Sequence, residues 1–352
     1  MLRKLLAPLF AMIVVTSFAQ DSTKTSPLSI SGSVDFYYKY DFGQSKANNY
    51  TSFTNSHNRF EPGMASVKFE HKTSKLDAVA DLGFGKRARE FSYNDDGILA
   101  AVKQLYVSYS VGTVVKFTAG SWATHVGYEL VDPQLNRNYS MSYMFTNGPF
   151  FHAGVKADFT IGKSGLMVGV ANPNDYKYVP DGVLNKKFLL AQYSFTASDL
   201  FKLYLNYVGG KTPDTSKTNQ FDIVLTSKLN DKFSFGYNGT INAIQHWDGA
   251  KNSSAKSWWG SAIYLNLDPT SSFGLTLRSE YFSDKHQLKI PTNSIDGCKI
   301  FANTLSANFK IDNLIIIPEF RIDNSSEEIF TKKDGTSTKT AVNVLVAAVY
   351  QF

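Results

Sequence analysis

The sequence is poor in cysteine and in charged residues. A single cysteine, Cys298, in 352 residues excludes a disulfide framework and a metal ribbon built from several cysteines. Charged residues make up 19% of the chain, below the roughly 25% that is usual for soluble domains. The chain nevertheless contains 27 Phe and 19 Tyr residues, which excludes a disordered or collagen-like protein. The 36 basic residues barely exceed the 30 acidic ones, so we expect no nucleic-acid partner.

Motifs for catalysis and metal binding are also missing from the sequence. The six histidines show no paired ligand spacing, and no G-x-S-x-G nucleophile motif occurs. The stretch from Gly83 to Ala88 (GFGKRA) formally matches a dinucleotide-binding fingerprint. The residues before it alternate with Asp77 and Asp81 instead of being continuously apolar, and no helical pattern follows, so we interpret the match as a coincidence. We therefore predict no enzyme activity, no cofactor and no metal.

Long apolar runs are absent from the chain after its N-terminal region. The longest run in that part extends only from Val344 to Tyr350. The N-terminus itself has a basic start, an apolar stretch from Leu5 to Val15 and small residues up to Ala19. This is the pattern of a cleaved signal peptide, and the stretch is shorter than the about 20 residues of a membrane-spanning helix. We predict a signal peptide over residues 1–19 and a single domain over residues 20–352. A buried N-terminal helix is the alternative.

What the sequence does contain is alternation of apolar and polar residues with a period of two. From Leu28 to Asp41, the even-numbered positions are apolar or glycine and the odd-numbered ones are mostly polar. Successive side chains of a strand point to opposite faces, so one face of this strand is apolar and the other is polar and faces water. The pattern predicts sixteen strands, with boundaries uncertain by about two to four residues. They lie near 28–42, 59–71, 76–85, 100–110, 113–120, 149–160, 165–172, 188–197, 200–209, 219–229, 232–241, 256–267, 272–282, 299–311, 314–323 and 340–352.

The connections between these strands alternate in length. Tight turns such as Asn230-Asp231 and Asp312-Asn313 follow the even-numbered strands, and longer polar loops follow the odd-numbered ones. Short turns at one end and long loops at the other are typical of an outer-membrane barrel. We predict an all-β fold, a transmembrane antiparallel up-and-down β-barrel of about 16 strands (between about 14 and 18), in the bacterial outer membrane. A secreted β-sandwich is the alternative, but it has no reason to sort its loops by length.

The last strand gives an independent indication of a barrel. It alternates up to Tyr350 and Phe352 on one face. A terminal aromatic residue on an alternating strand resembles the signal that bacterial barrel-assembly machinery reads. We predict Tyr350 and Phe352 as this assembly signal, and an ordinary core strand is the alternative.

The polar face of the predicted barrel indicates a hydrated lumen. A barrel of about 16 to 18 strands leaves an aqueous channel, whereas one of about eight strands is filled by side chains. Charges of both signs are interspersed on the polar face, and the alternative is that they only solvate the inner wall. We predict as lumen-wall residues Asp35, Lys39, Lys68, Glu70, Lys116, Lys156, Asp158, Arg278, Glu280, Glu319 and Arg321.

The loop over residues 121–149 departs from this regular plan because it is rich in aromatic residues and methionine. A long loop with apolar content must bury it, and loops of this length are usually functional. We predict that it folds toward the lumen and constricts the channel. A packed surface cap without selectivity is the alternative. The predicted polar lining consists of His125, Glu129, Asp132, Arg137, Tyr139 and Tyr143.

Three stretches in this region resemble a known family. The sequences GSWATHVGYE (Gly120 to Glu129), LNRNYS (Leu135 to Ser140) and GPFFH (Gly148 to His152) are similar to the β-barrel porin-2 (OmpL-like) family. The resemblance extends from about residue 28 to the C-terminus, and only this central region is distinctive. It implies an outer-membrane barrel with a porin role. It transfers no functional residues, so the loop assignments rest on the residues themselves.

These observations predict a porin through which small hydrophilic solutes or ions diffuse passively. Its expected partners are outer-membrane lipid, the permeating solutes and the barrel-assembly machinery, and the barrel could form a homo-oligomer. Two alternatives stay open. One is a plugged barrel with a structural or surface-binding role. The other is an outer-membrane lipid hydrolase whose site would use His152 and a neighbouring serine.

Overall fold

The computed structural model describes residues 27–181, 186–198, 200–292 and 296–352. The predicted signal peptide lies outside the described residues. Within them, sixteen strands form one closed antiparallel barrel, which confirms the predicted fold class. None of the helices in this part of the chain is long and apolar enough to cross a membrane.

Each barrel strand pairs with its neighbours in sequence, and the last strand closes the barrel against the first. Val34 in the first strand pairs with Tyr350 in the last. The sixteen strands are β1 (Leu28–Asp41), β2 (Arg59–Lys72), β3 (Leu76–Phe84), β4 (Val102–Val111), β5 (Val115–Ala123), β6 (Phe151–Ile161), β7 (Ser164–Ala171), β8 (Phe188–Ser198), β9 (Phe201–Lys211), β10 (Lys217–Lys228), β11 (Phe233–Gln245), β12 (Lys256–Thr270), β13 (Phe273–Asp284), β14 (Cys298–Ile311), β15 (Leu314–Ser325) and β18 (Thr340–Gln351).

The long loops contain short elements that the alternation does not predict. A run of two to six residues is too short to show a period, so the sequence pattern gives no indication of them. They are the helices α1 (Lys86–Phe91) and α2 (Tyr143–Asn147), the 3-10 turns Lys46–Asn48, Gly97–Ala101 and Pro133–Leu135, and a hairpin of β16 (Phe330–Thr331) and β17 (Ser337–Thr338).

Alternate side chains sort to the two faces of the barrel wall. Val34 and Phe36 are about half exposed, whereas Asp35 between them is buried. The outer face is therefore apolar and the inner face polar, the reverse of a soluble protein. Lipid covers such an outer face, and closure of the sheet leaves no backbone N–H or C=O unpaired in hydrocarbon.

Glycine is required where the wall turns or packs closely. Gly112 and Gly162 adopt positive φ angles of 61° and 58° in the short turns after β4 and β6. Gly120 in β5 has a φ of 131°, and a Cβ there would lie 2.2 Å from the Leu105 carbonyl oxygen. This position therefore lets β5 approach β4 at the point where the chain leaves the wall for the loop that follows.

Candidate functional site

The connection between β5 and β6, residues 124–150 (the β5–β6 segment), buries its own apolar side chains. Met141, Tyr143 and Phe145 are all buried. Helix α2 begins after Ser142, whose Oγ accepts a hydrogen bond from the Phe145 N–H at 3.0 Å. The segment is therefore packed against its surroundings instead of being freely solvated.

A buried ion pair joins the β5–β6 segment to β13. Arg278 of β13 donates from Nη1 to Glu129 Oε1 at 2.5 Å and to the Ser140 carbonyl at 2.7 Å. The two charged side chains are only 1% and 4% exposed. Glu129 also accepts hydrogen bonds from the Ser142 N–H at 2.8 Å and from the Tyr264 hydroxyl at 3.2 Å. One guanidinium thus fixes two separate points of the segment.

A second anchor is built around Tyr139, which is fully buried. Its N–H donates to Glu319 Oε2 of β15 at 3.0 Å, and its hydroxyl donates to Asp35 of β1. Arg87 of α1 donates to the carbonyls of Tyr139 and Val131 at 3.0 and 2.9 Å. Burial raises the pKa of the Tyr139 hydroxyl well above its usual range, so the hydroxyl stays protonated and donates.

The third anchor holds the start of α2. The Tyr143 N–H donates to Glu280 Oε2 of β13 at 2.8 Å, and the Tyr143 hydroxyl donates to Asp323 Oδ2 of β15 at 2.8 Å. Arg321 of β15 donates to Asp323 and to the Met141 carbonyl, each at 2.8 Å. Burial raises the pKa of the Tyr143 hydroxyl as well. Both ends of the tyrosine are thus bonded to carboxylates of the wall.

Two further ion pairs link the segment to other strands. Lys103 of β4 donates to Asp132 of the segment and lies 3.1 Å from Asp81 of β3. Arg137 of the segment forms a bidentate ion pair with Asp268 of β12, with N–O distances of 2.8 and 2.6 Å. The Lys103 side chain is buried, whereas the Arg137 pair is partly exposed. The segment therefore has charged contacts with β4 and β12 in addition to β1, β13 and β15.

At the start of the β5–β6 segment two histidine rings lie together. The ring centres of His125 and His152 are 5.1 Å apart. His125 Nε2 lies 3.0 Å from the Tyr207 carbonyl oxygen of β9, and His152 Nε2 lies 3.0 Å from Thr124 Oγ1. Burial lowers the pKa of His125 to about 4, so the ring is neutral at pH 7.

Two cavities border the β5–β6 segment. One, of about 480 Å³, lies toward the short turns, and the other, of about 360 Å³, lies toward the long loops. The first has both basic and acidic residues in its wall, and the second adds several neutral polar ones. The side chains in question are Lys68, Asp81, Lys103 and Asp132 for the first cavity, and Asp175, Gln220, Asn242 and Lys289 for the second.

Asp175, in the loop between β7 and β8, connects that second cavity to the end of the β5–β6 segment. Its Oδ1 accepts hydrogen bonds from the Phe150 N–H at 2.6 Å and from the Phe151 N–H at 3.0 Å, and its Oδ2 accepts from the Tyr93 hydroxyl at 3.0 Å. Burial raises the pKa of the Asp175 carboxyl to about 6, although these three donors oppose the shift. The carboxyl is thus a buried acceptor that orders three loops at one end of the barrel.

All six residues predicted as the constriction lining contact other parts of the wall. His125 contacts a backbone carbonyl, and Tyr139 donates a hydrogen bond to a carboxylate. The other four residues contact charged side chains of the barrel strands. The pairs are His125 with Tyr207, Glu129 with Arg278, Asp132 with Lys103, Arg137 with Asp268, Tyr139 with Asp35, and Tyr143 with Glu280.

The predicted lumen-wall residues divide into two groups. The first group bonds to the β5–β6 segment, and it consists of Asp35, Arg278, Glu280, Glu319 and Arg321. The second group does not. One member is Lys39, which donates to Asn49 at 2.5 Å and to the Thr54 carbonyl at 3.1 Å. The other members form ion pairs nearer the short turns, and they are Lys68, Glu70, Lys116, Lys156 and Asp158.

Several residues of the same network are missing from the predicted site, among them Arg87, Lys103 and Asp323. Arg87 lies in a long loop without alternation, so no sequence pattern indicates its role. Lys103 lies at the start of β4, where a register shift beside Asp81 interrupts the alternation. Asp323 could have been found, because it continues the polar face of β15 two residues after Arg321.

Two other predicted features have defined positions. Phe352 exchanges backbone hydrogen bonds with Gly32 of β1 at 3.0 and 2.9 Å, and its side chain and that of Tyr350 are about half exposed. Their role as an assembly signal stays a prediction. The hydrogen-bond partner of His152 is Thr124 and not a serine. Among the residues that the structure describes, no group of three or more side chains could hold a metal ion.

Comparisons with known proteins place this barrel among porins. A family model described as "Putative beta-barrel porin-2, OmpL-like" matches residues 27–352. No curated protein sequence matches the chain significantly. OmpT of Vibrio cholerae in its trimer form and an anion-selective porin from Comamonas acidovorans are each 10% identical, with a TM-score of 0.61 over 92% of this chain and 99% of theirs. The channel DcaP of Acinetobacter baumannii is 12% identical, with a TM-score of 0.62 over 92% and 97%.

Proposed function

The chain belongs to the beta-barrel porin-2 (OmpL-like) family and is a bacterial outer-membrane porin, and from this premise we propose how solutes cross it. Small hydrophilic solutes and ions diffuse passively through a water-filled lumen, along a route that the β5–β6 segment narrows. The mechanism has no chemical step, because solutes are separated only by their size and by their non-covalent contacts with the wall.

The observation that carries the proposal is the set of strands that the β5–β6 segment contacts. The segment bonds to Asp35 of β1, to Asp222 of β10 and to Arg278 of β13. These strands lie on different sides of one closed barrel. Contacts of this kind are expected of a segment that crosses the lumen, and they are difficult to reconcile with a cap over one rim.

The wall itself supports a hydrated route. A barrel of about sixteen strands is wide enough to leave water beside a narrowing loop. Toward the short turns its inner face carries partly exposed polar side chains such as Lys116, Lys156 and Asp158. A wall of this kind can offer hydrogen bonds to passing water and solutes without binding any of them tightly.

The anchors support a constriction of fixed width. Substitution of one partner of a buried ion pair such as Glu129–Arg278 leaves an uncompensated charge in a buried site, which costs about 3–5 kcal/mol. The hydroxyls of Tyr139 and Tyr143 add buried hydrogen bonds to carboxylates. A segment held in this way is expected to stay in place while solutes pass.

The proposal includes the route by which the protein reaches the membrane. Residues 1–19 direct export, and the assembly machinery reads the last strand with Tyr350 and Phe352. The apolar outer face contacts outer-membrane lipid. Self-association is also part of the proposal, since the trimer form of OmpT has the same fold at low identity.

A specific observation favours a second candidate, a barrel that the segment plugs. The cavities that border the β5–β6 segment lie toward opposite ends, and the buried Glu129–Arg278 ion pair belongs to neither cavity wall. A plug would leave the barrel with a structural or surface-binding role. The two candidates differ in whether the unaltered protein conducts ions.

Single-channel recording in a planar bilayer separates the candidates. We expect stepwise conductance from the unaltered protein and larger steps after deletion of residues 125–145. Because that deletion could prevent folding, Tyr139→Ala provides a milder opening of the same segment and should also enlarge the steps. Deletion of residues 248–251, in the exposed loop after β11, serves as the control and should leave the steps unchanged.

Each outcome decides between the proposals. Larger steps in both segment variants support a constriction. Steps of unaltered size in both variants, with the barrel folded as judged by heat-modifiable mobility in gels, overturn the constriction. Conductance that occurs only in the variants supports the plugged barrel.

A further inference from the structure

Four partly exposed ion pairs (the wall pairs) line the inner side of the barrel toward the short turns. The N–O distances within the pairs are between 2.6 and 3.7 Å, and the paired side chains are between 19% and 45% exposed. Glu70 of one pair also lies 3.0 Å from Lys72. They are Lys68–Glu70 on β2, Asp77–Lys116 on β3 and β5, Lys156–Asp158 on β6, and Arg137–Asp268 between the β5–β6 segment and β12.

The wall pairs face the lumen. Their strand residues alternate with outward apolar residues, and Phe69, Phe117 and Val155 on those strands are about half exposed to the lipid side. The pairs thus share the polar face with the buried anchors described above. They differ from the anchors because water and ions can reach them.

The wall pairs present dipoles to a passing ion instead of single charges. The potential of two opposite charges 3 to 4 Å apart largely cancels a few ångströms away, and salt screens the remainder over about 8 Å at physiological ionic strength. A pore selects ions by sign when its wall carries a ring of charges of one sign. Pairing removes that basis for selection at these residues.

The cavity of about 480 Å³ toward the short turns also has basic and acidic side chains close together in its wall. Its wall contains Lys68 and Lys103 together with Asp81 and Asp132. Lys103 lies within salt-bridge distance of both aspartates. The side-chain charges of this cavity are thus balanced within its own wall.

We propose that the wall pairs make this pore nearly indifferent to the sign of the solute charge, so that it passes neutral solutes and both ions of a simple salt at similar rates. The proposal rests on the proposed function, because it requires an open lumen. It implies that selectivity can be created in either direction by breaking a single pair. Loss of the acid exposes a cation, which attracts anions, and loss of the base does the reverse.

The reversal potential under a potassium chloride gradient across a planar bilayer tests this proposal. For the unaltered protein we expect anion and cation permeabilities within about twofold of each other. Asp77→Asn should raise the anion preference by about twofold, because Lys116 loses its partner, and Lys116→Met should raise the cation preference similarly. The double variant Asp77→Lys with Lys116→Asp restores a pair and should return the ratio to that of the unaltered protein.

A matched control breaks an ion pair away from the lumen. Asp96→Asn removes the partner of Arg89 in the exposed loop between β3 and β4, and it should leave the reversal potential unchanged. A pore that conducts but prefers one ion by more than about fivefold overturns the inference, and so does an unchanged ratio in both Asp77→Asn and Lys116→Met. Absence of conductance in the unaltered protein instead overturns the proposed function, so the two failures are distinguishable.

Discussion

Replacement of Arg278 by methionine removes the guanidinium that joins β13 to the β5–β6 segment. Glu129 then keeps two hydrogen-bond donors, Ser142 and Tyr264, but has no counter-charge in a buried site. Removing one partner of a buried ion pair costs about 3–5 kcal/mol. We therefore expect Arg278→Met to lower the free energy of unfolding by about that amount, or to release the segment if its detachment costs less.

A double-mutant cycle shows whether the pair itself carries this effect. Glu129→Gln removes the other charge, and the double variant Glu129→Gln with Arg278→Met leaves no buried charge uncompensated. We expect the double variant to be less destabilised than the sum of the single variants by at least about 1 kcal/mol. Asp231→Asn breaks the exposed pair of Asp231 with Lys228 and serves as the control, with no measurable change in stability.

Urea unfolding of the barrel in lipid vesicles, followed by tryptophan fluorescence, measures these changes. Trp258 is fully buried in the same cluster as Tyr143 and Met144 of the segment, so its emission reports detachment of the segment as well as unfolding. Single-channel steps recorded on the same variants show whether the constriction widens. An Arg278→Met protein with the stability and conductance of the unaltered protein would refute the assignment of this pair as an anchor.

Two further predictions concern pH, and thermal melting between pH 4 and pH 8 tests both. The pKa of His125 is lowered from 6.5 to about 4 on folding, so its contribution to stability is present above pH 6.5 and is lost as the pH falls toward 4. His125→Gln should reduce this loss, and an identical acid profile would contradict the prediction. The pKa of Asp175 is raised from 3.8 to about 6, so stability is lost as the pH rises through 6, and Asp175→Asn should melt higher than the unaltered protein at pH 7. Asp175→Ala, which removes the acceptor of the Phe150 N–H, should melt lower; an Asp175→Asn protein that also melts lower would show that the charge is needed.

The strands could be predicted because their signal is local. The strand predicted near 272–282 is β13 (Phe273–Asp284), and the one predicted near 76–85 is β3 (Leu76–Phe84). Each strand of a membrane barrel must present one face to lipid and one to the lumen, so a period of two is present within every strand. The short elements α1 and α2 have no such requirement, and the alternation gives no indication of them.

The candidate site was only partly predictable. Composition indicated that the β5–β6 segment is unusual, and alternation indicated which charges share the inner face. Neither pattern tells which charge pairs with which. Lys116 pairs with Asp77 on a strand that is not its neighbour in sequence, and Arg87 enters the network from a helix that the pattern does not predict.

The sequence by itself determined that this chain forms a barrel of sixteen strands with a polar interior, because lipid on one side and water on the other constrain residues two positions apart. Only the tertiary structure decided which side chains pair with one another inside the barrel. Glu129 and Arg278 are 149 residues apart in the chain, and Tyr139 and Asp35 are 104 apart. Such pairs form only when a closed wall brings distant strands around one segment, and no periodicity along the chain encodes that distance.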